Sequence, residues 1–180
     1  HRERIIKPIE NPSKRFFKKT PATTGNQICF LPKGADLCFA SPEVFWEILE
    51  FVAENPQTTF LMQTKDPQFL LNVTKFPKNL ILGITFETDQ NAFDTPSKYK
   101  YYREISNALI PEMRASYFTE VNHNRKFVTI EPILDFDQSV MIQWMLNLKP
   151  EVIYIGYDTK GCKLPEPFLQ KTMALIKQLE

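Results

Sequence analysis

Five short apolar runs, each ending in polar or charged residues, constrain this chain more than any other feature. They are Ile28–Pro32 (ICFLP), Thr58–Met62 (TTFLM), Leu80–Phe86 (LILGITF), Lys126–Glu131 (KFVTIE) and Val152–Ile155 (VIYI). Segments with helical signals lie between them. Strands alternating with helices predict parallel strands joined by right-handed crossovers. The runs are apolar at consecutive positions, as in strands buried on both faces. About five β-α units are too few for a closed eight-stranded barrel. They fit a partial (β/α)6, TIM-like barrel without its first unit, and equally an open doubly wound sheet.

The helical segments carry their own punctuation. Ser41 is placed to cap a helix with Pro42 at its first position, and Val44, Phe45, Ile48, Leu49 and Val52 recur on one face. Asp66-Pro67 opens a shorter helix. Residues Ser97–Met113 read as a helix with Tyr101, Ile105, Ala108 and Leu109 on one side, followed by a polar stretch over 114–125 that holds His123. Asp137–Leu148 and Pro165–Leu179 complete the set.

Composition bounds the class. With 180 residues, 43% of them hydrophobic, the chain can bury one real core. The expected organisation is a basic, proline-containing lead-in over 1–27 and one barrel domain over 28–180. No apolar run approaches the roughly 18 residues of a membrane span, and no signal peptide is visible, so a cytoplasmic protein is expected. The chain starts at His1 rather than Met, which leads to the expectation of a fragment or processed chain. Residues 1–27 carry seven Lys/Arg against two Glu. Such an arm either touches nucleic acid or is a solvated connector.

Several chemistries find no support. Cys29, Cys38 and Cys162 are scattered with no C-x-x-C, so neither a zinc nor a disulfide framework is expected. There is no glycine-rich phosphate loop. His1 and His123 fall in polar segments, which leaves a Ser-His-Asp arrangement without a base.

The strand ends are more informative. Pro132 removes a backbone donor directly after Glu131, so the fourth strand stops there and presents a carboxylate at its carboxyl end. In parallel α/β folds that end holds ligands. Taken together, the five ends deliver Asp36, then Gln63, Thr64 and Lys65, then Thr85 and Glu87, then Glu131, then Asp158. Several carboxylates, an amide, hydroxyls and one lysine make a polar ligand site. Lys65 serves either as a Schiff-base amine or, more simply, as a charge partner for Glu87 or Glu131.

Four segments occur in an ordered set: FLMQTKDPQFL, FPKNLILGITFETD, RKFVTIEPILDFD and VIYIGYDTKGCKLPEP, the last followed by KTMALI in the final helix. Over about residues 28–180 this set resembles an archaeal and phage branch of the radical S-adenosylmethionine superfamily, distantly similar to spore photoproduct lyase. The resemblance implies a partial (β/α)6 barrel that binds S-adenosylmethionine and a [4Fe–4S] cluster. In that superfamily a Cys-x3-Cys-x2-Cys loop ligates the cluster and the product of cleavage is a hydrogen-abstracting adenosyl radical. This sequence departs from the pattern at that loop: residues 1–27 contain no cysteine, so the cluster ligands are absent. By resemblance, Asp36 would lie near the methionine part of the cofactor. Thr85, Glu87 and Glu131 would face ribose or substrate, Gln63 and Lys65 substrate or carboxylate, and Gly156 adenine. Glu131, Lys65 and Glu87 are then the candidate catalytic residues. The alternative is a cluster-free, degenerate barrel that binds a partner, with nucleic acid reached through residues 1–27. The resemblance names no substrate and no oligomeric state.

Overall fold

The computed structural model describes residues 27–31, 36–95 and 97–180. Five strands form one sheet: β1 (Gln27–Leu31), β2 (Thr58–Thr64), β3 (Leu80–Phe86), β4 (Lys126–Ile130) and β5 (Val152–Ile155). The order is β1-β2-β3-β4-β5, and every neighbouring pair is parallel. Sequential order with crossovers of one hand places all connecting helices on one face. The sheet curls into a half-barrel around the other. A doubly wound sheet requires a reversal of strand order, and none occurs here.

Local signals explain the helices. α1 (Pro42–Glu54) begins where Ser41 Oγ accepts from the Val44 N–H at 3.4 Å, with proline at its first position. α2 is Pro111–Glu120 and α3 is Gln138–Leu148. Asp137 caps α3 by accepting from Ser139 N at 2.8 Å and Val140 N at 3.2 Å. α4 is Leu169–Leu179, and a 3-10 helix (Pro67–Asn72) links β2 to β3.

The convex side of the sheet and these helices share one core. Phe60, Leu82, Ile84 and Val128 from the strands meet Ile48 and Val52 of α1, Phe118 of α2, Met141 of α3 and Leu175 of α4. Full burial of each such side chain contributes about 1.5–3 kcal/mol before entropy is counted. Ile81 and Phe127 are also buried, but they point to the concave side, one residue out of phase with that core.

The structure departs from the sequence reading in three places. Ser97–Met113 is not a helix: a 3-10 turn covers Tyr102–Glu104, and α2 begins at Pro111. Proline stands at the first position of this helix, where its missing N–H falls among the unpaired donors of a first turn. The last helix begins at Leu169 rather than Pro165. Burial on both faces holds for β3 but not for β2, where buried and half-buried positions alternate, nor for β5. Ile28 and Phe30 of β1 are 69% and 48% exposed, and Tyr154 of β5 is 49% exposed. Among the described residues, no element covers the concave face of these outer strands.

Candidate binding cleft on the concave face

Strand alternation places residues two apart on the same face. On the concave side this selects Ile28 and Phe30, Leu61 and Gln63, Ile81, Gly83 and Thr85, Phe127 and Thr129, and Val152 and Tyr154. The register confirms the grouping: Gln63 pairs with Gly83, Gly83 with Phe127, Thr85 with Thr129, and Thr129 with Tyr154. A cleft of about 470 Å³ opens on this face.

One part of its lining is aromatic. The Phe127 ring meets Phe30 edge-on, with centroids 6.4 Å apart, and Tyr154 edge-on at 6.2 Å. Gly83 makes the row possible. A Cβ there would sit 2.1 Å from Phe127 Cζ, so only glycine lets the ring lie across β3.

The other part is polar. The Gln63 amide donates to Thr85 Oγ1 and accepts from Thr129 Oγ1 at 3.2 Å, tying β2, β3 and β4 together. Lys65 and Glu131 line the same cleft. Glu131 is exposed and has no hydrogen-bond or ion-pair partner among the described residues. Gly156 leaves room for that carboxylate: a Cβ there would come within 3.2 Å of Glu131 Cγ and Cδ. The Gly156 N–H donates to Ile130 O and its carbonyl accepts from Ile133 N, so both are bonded within the protein.

Glu87 is buried beside Lys65 and holds three partners. Lys65 Nζ bonds its Oε1, Arg114 Nη2 lies 2.9 Å from its Oε2, and the Tyr102 hydroxyl donates to Oε2 at 2.9 Å. Arg114 is fully buried and also donates to Tyr102 Oη, to Thr85 O and, at 2.7 Å, to Leu109 O. Burial, and then the Glu87 charge, push the Tyr102 phenol up to about 12. Tyr102 therefore stays a donor at neutral pH. Tyr102, Phe93 and Leu134 form a small second core, which packs the segment after β3 against Leu134, beyond the end of β4.

Of the residues expected at the site, Gln63, Lys65, Thr85 and Glu131 line one cleft. Glu87 joins through Lys65, and Gly156 lies beside Glu131. Asp36 does not line it. Its carboxylate accepts from Thr64 Oγ1 at 2.6 Å, Lys65 N at 2.7 Å and Cys38 N at 3.1 Å, which locks the connection after β1 to the end of β2. Asp158 likewise caps its own loop, accepting from the backbone of Lys160 and Cys162. Sequence reasoning missed Phe30, Phe127, Thr129, Tyr154, Tyr102 and Arg114. Stepping back two residues at a time from Glu131 and Gly156 would have found Thr129, Phe127 and Tyr154.

Among the described residues no group of three or more His, Cys, Asp or Glu side chains could hold an ion. Cys29 lies in β1, Cys38 in a 3-10 turn and Cys162 in the exposed loop after β5. No helix among the described residues is long and apolar enough to cross a membrane. The basic segment expected to reach nucleic acid lies, apart from Gln27, outside the described residues. Comparison with family models, curated proteins and solved structures found no match.

Proposed function

We propose that the concave face binds S-adenosylmethionine through its adenosyl group. In this reading the half-barrel is part of a (β/α)6, TIM-like barrel of the radical S-adenosylmethionine type. One observation carries it: a single cleft joins an aromatic row to a hydroxyl-and-amide strip. Aromatic rings favour edge or offset contact with a flat heterocycle, and the Gln63–Thr129 strip is suited to ribose hydroxyls. The volume, about 470 Å³, falls within the range of small-molecule sites. The order of the four sequence segments quoted above supports the same reading. Bound S-adenosylmethionine would supply adenosyl chemistry to a substrate. Cys29, Cys38 and Cys162 stand apart and lack the Cys-x3-Cys-x2-Cys spacing, so they do not fit a [4Fe–4S] cluster in the way the resemblance implies.

Isothermal titration of the chain with S-adenosylmethionine and 5′-methylthioadenosine tests this. Both compounds should bind with one-to-one stoichiometry. Tyr154→Ala and Thr129→Val should each weaken both compounds several-fold. Absence of saturable binding, or binding that survives both substitutions unchanged, overturns the reading.

A further inference from the structure

We propose that Lys65 is a seat for an anionic group, a phosphate or carboxylate, on the ligand that occupies the cleft; this rests on the adenosyl reading above. The argument begins with charge. Lys65 and Arg114 are two cations that share the single carboxylate of Glu87. Arg114 is fully buried and bonds Glu87, Tyr102, Thr85 O and Leu109 O, so its charge is compensated inside. The ammonium of Lys65 is different. Its side chain is 40% exposed and lines the cleft, and an ammonium has three donors while Glu87 takes one.

The second element is preorganisation. A lysine chain ordinarily loses substantial rotamer freedom when it binds. Here the Glu87 carboxylate holds Nζ before any ligand arrives. Glu87 is itself fixed by the Tyr102 hydroxyl and by Arg114, which is anchored to Thr85 O and Leu109 O. Glu87, Tyr102 and Arg114 are positioning residues, and Lys65 is the group that meets the ligand. Glu131, exposed in the same cleft and without a partner among the described residues, adds discrimination by charge. It disfavours an anion on its side, so the anionic end of the ligand is directed to Lys65 and a cationic or hydroxylated portion to Glu131.

The test uses three probes on the full chain: adenosine, adenosine 5′-monophosphate and adenosine 5′-carboxylate. Binding is measured by titration calorimetry at low and moderate salt. The anionic probes should bind at least about tenfold tighter than adenosine, the scale of one hydrogen bond to a charged group. Lys65→Met should remove that preference, and Lys65→Arg should restore part of it. A preference for the monophosphate alone assigns a phosphate; an equal preference for both assigns either anion. Thermal melts of both variants check that the fold is kept. Equal affinity for adenosine and both anions in the unsubstituted protein overturns the proposal, as does a preference that persists in Lys65→Met. Lys65-dependent binding of the anions without any adenosine binding keeps this proposal and overturns the adenosyl reading. No binding of any probe overturns both.

Discussion

Gly83→Ala tests whether the aromatic row is a built feature of the cleft. The new Cβ would lie 2.1, 2.3 and 2.7 Å from three atoms of the Phe127 ring. Ordinary carbon contacts lie near 3.5 Å or beyond, so the ring must move by about 1.4 Å or more. It has little room, because Phe127 is only 2% exposed and meets Phe30 and Tyr154 on either side. Overpacking of this kind costs about 1–3 kcal/mol. For a chain of this length 2 kcal/mol lowers Tm by roughly 4–8 °C. With the ring removed, the sign reverses. In a Phe127→Ala background the methyl group meets empty space, and alanine in a strand is favoured over glycine by about 0.5–1 kcal/mol. Urea denaturation of the two single variants, the double variant and the parent closes the cycle, and the two sites should couple by more than about 1.5 kcal/mol. If Gly83→Ala costs the same in both backgrounds, within about 0.5 kcal/mol, the Phe127 ring does not lie over Gly83 and does not form the cleft floor.

Four further outcomes follow from the same contacts. Arg114→Lys should destabilise by about 3–5 kcal/mol in chemical denaturation, since one ammonium cannot replace a buried guanidinium that reaches four separate acceptors. Tyr102 is held above its unfolded value near 10, up to about 12, so its contribution is complete below pH 10 and is lost as pH rises from 10 towards 12; Tyr102→Phe should flatten that alkaline fall in stability. Asp36→Asn should cost about 1–3 kcal/mol in the same assay, because it weakens bonds to Lys65 N, Cys38 N and Thr64 Oγ1, and should leave ligand affinity unchanged if Asp36 acts on the loop alone. Gly156→Ala should cost under about 1 kcal/mol, since the flexible, exposed Glu131 side chain can yield, yet shift ligand affinity by displacing that carboxylate.

The architecture was legible because strand and helix periods differ. LILGITF and KFVTI lack helical spacing, and the Ser41-Pro42 start leaves little choice of boundary. The connection between β3 and β4 was not legible. Residues 97–110 contain apolar side chains at near-helical spacing, but Tyr102 and Phe93 are recruited to the small core with Leu134. That tertiary contact outweighs a weak local preference, and helix formation waits for Pro111. The exposure of Ile28, Phe30 and Tyr154 was hidden for a different reason. An apolar strand reads the same whether its second face meets a helix layer or lines an open concavity.

The site was legible as a set of strand ends, but a strand end does not reveal which way its side chain is engaged. Asp36, Glu87 and Glu131 are three carboxylates in equivalent sequence contexts, and the fold gives them three different situations. Asp36 accepts two backbone N–H groups and a hydroxyl, and so it acts on chain geometry. Glu87 is enclosed between a lysine, a tyrosine and a buried arginine, two of which come from a segment that local sequence pattern misassigns. A carboxylate held by three donors is poorly placed to take a proton from a ligand and well placed to fix Lys65. Glu131 alone keeps a carboxylate open to the cleft. Its openness follows from the neighbours: Pro132 ends the strand, and Gly156 withholds the side chain that would crowd it. Of these carboxylates, Glu131 is the one that a ligand in the cleft can reach. Glu131→Gln should then weaken the cationic S-adenosylmethionine more than the neutral 5′-methylthioadenosine, whereas Glu87→Gln should act through the position of Lys65 and lower affinity for anions first.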